Sequence, residues 1–108
     1  IFALNEIAAI YFDNLKDYTA CIKTYQILAD HYPGTKEAKQ SMFMMAFIYD
    51  ETLRNKKMAI KKYKEFLKIY PVDEDPYDND YMVDAAKRML QVLESGKTIE
   101  ELIEESEK

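Results

Sequence analysis

At 108 residues the chain is long enough for one domain with a modest core and too short for two. Its 48% hydrophobic and 32% charged residues, with two Gly and three Pro, exclude collagen, a Gly/Ser linker and a wholly disordered tail. A net charge of −5 argues against a nucleic-acid partner, and a lone cysteine, Cys21, excludes an internal disulfide. No apolar run approaches the ~20 residues of a membrane span, and no signal-peptide pattern is present. The chain opens without Met inside an apolar-periodic segment, Ile1-Phe2-Ala3-Leu4, as a piece of a longer protein would.

In chain order, Leu4, Ile7, Ala8 and Tyr11 fall at i, i+3, i+4 and i+7 and predict a first helix. Asn14 to Asp17 is polar around Leu15 and reads as a turn. Cys21, Ile22, Tyr25, Leu28, Ala29 and Tyr32 continue the period as a second helix. Pro33-Gly34 ends it, because Pro cannot continue the hydrogen-bond ladder and Gly frees the backbone. Met42, Met45, Ala46, Tyr49 and Leu53 form a third stripe; Ala59, Ile60, Tyr63, Phe66, Leu67 and Tyr70 form a fourth, closed by Pro71. Phe43, Met44, Phe47 and Ile48 make the third helix apolar nearly all round, which fits a middle layer covered on most sides.

Beyond Pro71, Val72 to Asn79 is an acidic loop. Met82, Val83, Ala86, Met89, Leu90 and Leu93 mark a fifth helix ending near Gly96, whose cap would be Asn79 or Asp80. Thr98 to Glu101 fits a capping box opening a short sixth helix with Ile99, Leu102 and Ile103 on one face and Glu over the other. A polar outer surface suits a terminal unit.

The segments repeat. Residues 1–33 laid on 39–71 give nine identical pairs: Ala8/Ala46, Ile10/Ile48, Tyr11/Tyr49, Leu15/Leu53, Ile22/Ile60, Lys23/Lys61, Tyr25/Tyr63, Tyr32/Tyr70 and Pro33/Pro71. Unrelated segments of this composition would give roughly two. The organisation expected is one domain over 1–108, with repeat 1 at about 1–33, repeat 2 at about 39–71 and a C-terminal helix pair at about 80–108.

The pattern of a small residue and a Tyr three apart in one helix, then a small residue, an aromatic and a closing Pro in the next, resembles the tetratricopeptide repeat family. It is carried by Ala8, Tyr11, Cys21, Tyr25 and Pro33, then by Ala46, Tyr49, Ala59, Tyr63 and Pro71. The family period is 34; the 38 found here implies a longer link after each Pro and a turn one residue longer than usual. The resemblance implies an all-α fold of about six helices, antiparallel hairpins stacked in a right-handed solenoid. Long-period repeats ending in Tyr-Pro are similar to those of bacterial envelope proteins, among them the outer-membrane assembly lipoprotein BamD and the repeat protein that works with Tol-Pal. The ending Ala85-Ala86 through Leu93, Gly96-Lys97 and Glu100-Glu101-Leu102-Ile103 resembles the C-terminal ends of such proteins in Bacteroidetes. A periplasmic or outer-membrane-associated location is an expectation from that likeness alone.

A catalytic site has little to stand on. His31, late in a helix before Tyr32-Pro33, suits a helix C-terminus. Cys21 sits at a small core position matched by Ala59. No Ser/His/Asp set, phosphate loop or zinc set is visible. Asp73, Asp75, Asp78 and Asp80 offer oxygen ligands, but counted from Asp73 the sixth and twelfth positions of an EF-hand loop hold Asp78 and Asp84, not Gly and Glu, so no metal and no cofactor is expected. The six Met and nine Tyr fall mostly at core spacing.

Charge is placed in blocks: seven bases and one acid from Arg54 to Lys68, six acids from Asp73 to Asp84, five from Glu100 to Glu107. Such blocks read as solvated faces or as steering surfaces for a charged partner. The stripe Lys57, Lys61, Lys64 and Lys68 could meet an anion or a lipid surface.

By the family resemblance, the first helix of each hairpin lines a concave face, here through Asn5, Ala9 and Phe12, then Phe43, Phe47 and Asp50. The Lys, Asn and Arg set that grips chaperone C-terminal carboxylates is not reproduced there, so an apolar groove for a protein or peptide partner is expected instead. Phe43 and Phe47 could equally pack on the fifth helix. The function expected is a non-catalytic protein-interaction module. The alternatives are a structural segment stacking on further repeats or self-associating through its N-terminal edge, and an anion or lipid binder.

Overall fold

A computed structural model describes residues 2–72 and 81–107. Among the described residues there are six α-helices and no strand: α1 (Phe2–Asp13), α2 (Tyr18–His31), α3 (Lys36–Phe47), α4 (Lys56–Ile69), α5 (Met82–Ser95) and α6 (Ile99–Ser106). Between α3 and α4 runs a π-helical turn, Ile48–Thr52. Each helix packs on the next in sequence, and α3 also reaches α5, so the chain is a stack of helical hairpins. The last contact, α5 on α6, is slight beside the others.

The small residues at helical spacing build the core. One layer joins Ala8, Cys21 and Ile22 of the first hairpin to Met45 and Ile48 of the second. The next joins Ala46, Ala59, Tyr63 and Phe66 to Val83 and Ala86 of α5. Ala8, Cys21, Ala46, Ala59 and Ala86 are all fully buried, since only a small side chain lets two helix backbones approach at those points. Two buried hydroxyls bond within their own helices: Thr24 Oγ1 to the Ala20 carbonyl and Ser41 Oγ to the Glu37 carbonyl, both at 2.8 Å. From Ser41 to Asp50 no residue is exposed, as a middle layer requires.

The hairpin turns repeat at atomic detail. The Leu15 amide donates to the Ile10 carbonyl at 3.1 Å and the Leu53 amide to the Ile48 carbonyl at 2.9 Å, both five residues back. Asp17 N bonds Tyr11 O and Asn55 N bonds Tyr49 O, each at 2.8 Å. Lys16 (φ 52) and Arg54 (φ 53) take the left-handed conformation between them. Asp17 and Asn55 then cap the following helix, accepting from the amides of Ala20 and Met58. The widened turn is how the extra residue of this long repeat is absorbed.

Several expectations need correction. The residues after Pro33 do not form a longer link: Gly34 (φ 81) turns the chain, Thr35 Oγ1 accepts from the Ala38 amide, and α3 starts at Lys36. Leu53 is 40% exposed and Ile7 42% exposed, so neither is core. Pro33 and Pro71 are exposed as well and act by ending helices, not by packing. The cap position of α5 is Tyr81, in the left-handed region, with no side-chain cap bond. Asn79, Asp80 and the cluster Asp73, Asp75, Asp78 and Asp80 lie outside the described residues. At the start of the sixth helix Thr98 Oγ1 accepts from the Glu101 amide at 3.2 Å, the Thr half of the expected capping box.

Candidate functional site

Helices α1, α3 and α5, the first of each hairpin, share one side of the stack. There an open groove of about 330 Å³ is lined by Asn5, Tyr25, Gln40, Phe43, Met44 and Met82. Asn5 and Phe43 are one repeat apart, so the stacking itself brings them together. Gln40, Phe43, Met44 and Phe47 fall at i, i+3, i+4 and i+7, a second face of α3 beside its core stripe. None of the six lining side chains carries a formal charge in a chain that is 32% charged. Tyr25 keeps its proton: burial, then Cys21 and Asp13, push its phenol above the ordinary value of 10.0, leaving a neutral hydroxyl at the groove wall. The groove therefore offers apolar thioether and ring surface with amide and hydroxyl groups at its edges.

Phe43 is the anchor of this wall. Its ring lies 5.8 Å from that of Phe66 and 6.3 Å from that of Tyr63, edge-on to both, and stacks on Phe47 at 6.2 Å. The α4 aromatics hold it from behind while it lines the groove in front. Behind it the Tyr63 hydroxyl, fully buried, lies 3.1 Å from Asp50 Oδ2 and 2.9 Å from Met89 Sδ. Burial above all raises the Asp50 carboxyl above its ordinary value, against the Tyr63 hydrogen bond that lowers it. The same burial, with the Asp50 charge, raises the Tyr63 phenol.

The other residues expected on this face are dispersed. Phe12 turns toward Tyr18, ring centroids 5.3 Å apart, at the hairpin end. Ala9 is exposed on α1, and Asp50 is engaged with Tyr63. Sequence reasoning missed Gln40 and Met44, though the second stripe on α3 signals both. It read Tyr25 and Met82 as core, and both are half-buried at the wall.

Elsewhere chemistry is sparse. Burial, then the Asp13 charge, pushes the Cys21 thiol up to about 11, so it is a packing residue with little thiolate at neutral pH. His31 is the exposed last residue of α2. Among the described residues no group of three or more His, Cys, Asp or Glu is placed to hold a metal, and no helix is long and apolar enough to cross a membrane. Lys57, Lys61, Lys64 and Lys68 are exposed along α4, with Lys64 3.6 Å from Glu94 of α5.

Residues 3–35 and 40–71, together more than half of the chain, match the family model of the tetratricopeptide repeat. A search of curated proteins finds no match, and neither does a search of solved structures.

Proposed function

Because the chain belongs to the tetratricopeptide repeat family, we propose that it is a protein-interaction module that holds an uncharged, largely apolar peptide segment against α1, α3 and α5. The observation that carries this reading is the groove of Asn5, Tyr25, Gln40, Phe43, Met44 and Met82, which has an apolar floor, polar edges and no charge. Its anchor Phe43 is braced by Phe66 and Tyr63, so the surface is formed before a ligand arrives. The repeat match over residues 3–35 and 40–71 supports a scaffold role.

The test is a peptide-library selection followed by calorimetry. Selected peptides should lack charge at their centre and lose at least tenfold in affinity with Met44→Asp or Phe47→Asp, while helical content stays nearly intact. If Phe47→Asp instead collapses the fold, as a buried charge would, Phe47 belongs to the core. If binding ignores Met44 and is lost with Lys61→Glu and Lys64→Glu, the α4 basic face is the site, and steep salt dependence would accompany it.

The bacterial-envelope subtype is a second proposal. It is supported by the 38-residue spacing and the Tyr32-Pro33 and Tyr70-Pro71 endings, and cell fractionation of the native protein tests it.

A further inference from the structure

The 38-residue register makes α2 an internal control for α4. Both are 14-residue second helices with matching core stripes, yet their outward faces differ. Lys57, Lys61, Lys64 and Lys68 of α4 correspond to Thr19, Lys23, Gln26 and Asp30 of α2. On α2 the Gln26 amide donates to Asp30 Oδ1 at 2.8 Å, a pair that supports the helix. On α4 the same two positions are Lys64 and Lys68, like charges four apart, and Lys57 and Lys61 repeat that arrangement two turns earlier. Lys56 and Lys57 also stand in the first turn, which holds no acid, and a cation there opposes the helix dipole. Lys62 is paired with Glu65 at 3.4 Å and Lys64 with Glu94 at 3.6 Å. Among the described residues Lys57, Lys61 and Lys68 have no ion-pair partner. The fold does not require this stripe, since α2 packs in the same way without it, and the stripe works against the stability of α4 itself. A surface kept at such a cost points to a use.

The stripe is one helix wide and bordered by acids. Asp30 and Glu65 share the cleft between α2 and α4 with Lys68, and Glu94 of α5 stands against Lys64 on the other side. The chain as a whole carries a charge of −5. A broad anionic surface, such as a bilayer or a nucleic-acid duplex, would press on those carboxylates as well as on the lysines; a single narrow rod would not. Lysines at i, i+4, i+7 and i+11 climb about 16.5 Å, in steps of about 6, 4.5 and 6 Å. Acids at the same spacing on a partner helix match these steps one for one, whereas alternate acids of an extended chain would cover about 20 Å in three steps. We propose that the outward face of α4 docks a helix of a partner protein that carries a stripe of carboxylates at i, i+4, i+7 and i+11. The contact is made of exposed charge pairs, so it is weak, quickly formed and salt-sensitive. It lies on the side of the stack away from the groove of α1, α3 and α5, and the inference does not depend on the groove's function.

The test titrates the 108-residue chain with two synthetic alanine-rich helical peptides of equal composition. One carries glutamates at i, i+4, i+7 and i+11; the other carries the same number spread round the helix. At about 20 mM salt the striped peptide should bind at least about fivefold tighter than the other, and should lose at least about tenfold in affinity by about 200 mM. Lys61→Glu with Lys64→Glu should abolish this binding, and Met44→Asp in the groove should leave it unchanged. Lys57→Glu should move two readouts in opposite directions: weaker binding, and a Tm raised by about 2–4 °C as an acid replaces a base at the helix start. Equal affinity for the two peptides would overturn the proposal, and so would a Lys57→Glu that lowers Tm. Tighter binding to vesicles of anionic lipid or to a DNA duplex than to the striped peptide would also overturn it. So would self-association at low salt that Glu100→Lys with Glu104→Lys abolishes, because the face would then belong to α6 of a second copy.

Discussion

The two hairpins share their identical residues, their left-handed turn positions and their turn hydrogen bonds at a 38-residue spacing, yet their first helices sit in opposite surroundings. In α3 every residue from Ser41 onward is at least half-covered, held between α2 on one side and α4 and α5 on the other. In α1 only Ala8 is fully buried. Tyr25 and Tyr63 show the same contrast in the second helices: Tyr25 is half-buried at the groove wall, while Tyr63 is fully enclosed with its hydroxyl on Asp50 and Met89. The local pattern decides that a hairpin forms and which face is apolar. The number of neighbouring hairpins decides how much of that face leaves water.

The largest expected effect separates the two repeats directly. Ile48→Ala removes a fully buried side chain from the layer between the hairpins and should cost about 2–5 kcal/mol. Ile10→Ala, the same change one repeat earlier at a half-exposed site, should stay within about 0.5 kcal/mol. Urea denaturation of both variants would break the comparison if their costs were similar.

A smaller effect should be shared by the repeats. Lys16 and Arg54 occupy left-handed conformations that L side chains resist. Lys16→Gly and Arg54→Gly should each raise stability by about 0.5–1 kcal/mol, the relieved strain exceeding the extra chain entropy of Gly. Unequal signs for the two substitutions would show that the turns differ in spite of their matching bonds.

The smallest effect belongs to the second repeat alone. Asp50 has its carboxyl raised above the ordinary 3.8 by burial. The folded state therefore holds the proton more tightly than the unfolded chain, so the associated stability is present below 3.8 and is lost as pH rises through the folded value. Asp50→Asn keeps an acceptor for Tyr63 and removes the half-buried charge. It should be slightly more stable than the parent at pH 7, with the advantage gone at pH 3. Phe12 stands at the equivalent position of the first repeat, so no matching titration is expected there.

Much of this was legible in the sequence, for identifiable reasons. Ala8, Cys21, Ala46 and Ala59 stood out because close helix approach demands small residues at helical spacing, and Pro33 and Pro71 because they end helices. The π-helical turn at Ile48–Thr52 left only one trace, a turn one residue too long, since a hydrogen bond to the fifth residue back has no side-chain signature. Ile7 and Leu53 were misplaced because periodicity identifies an apolar face and says nothing of whether a neighbour covers it. The start of α3 was missed because Thr35, a capping residue three positions before Ala38, was read as part of the link. Of the residues lining the groove, Asn5 and Phe43 were expected on this face only through the family resemblance; Gln40 and Met44 required weighing a second stripe on a helix apolar nearly all round.

Native-state hydrogen exchange tests the contrast between a sheltered middle layer and an open first layer most directly. The amides of Ser41 to Ile48 should exchange only through global unfolding, while those of α1 exchange through local opening at a distinctly lower free energy. Amides of α1 as slow as those of α3 would contradict the account, because the first hairpin would then be covered as fully as the second.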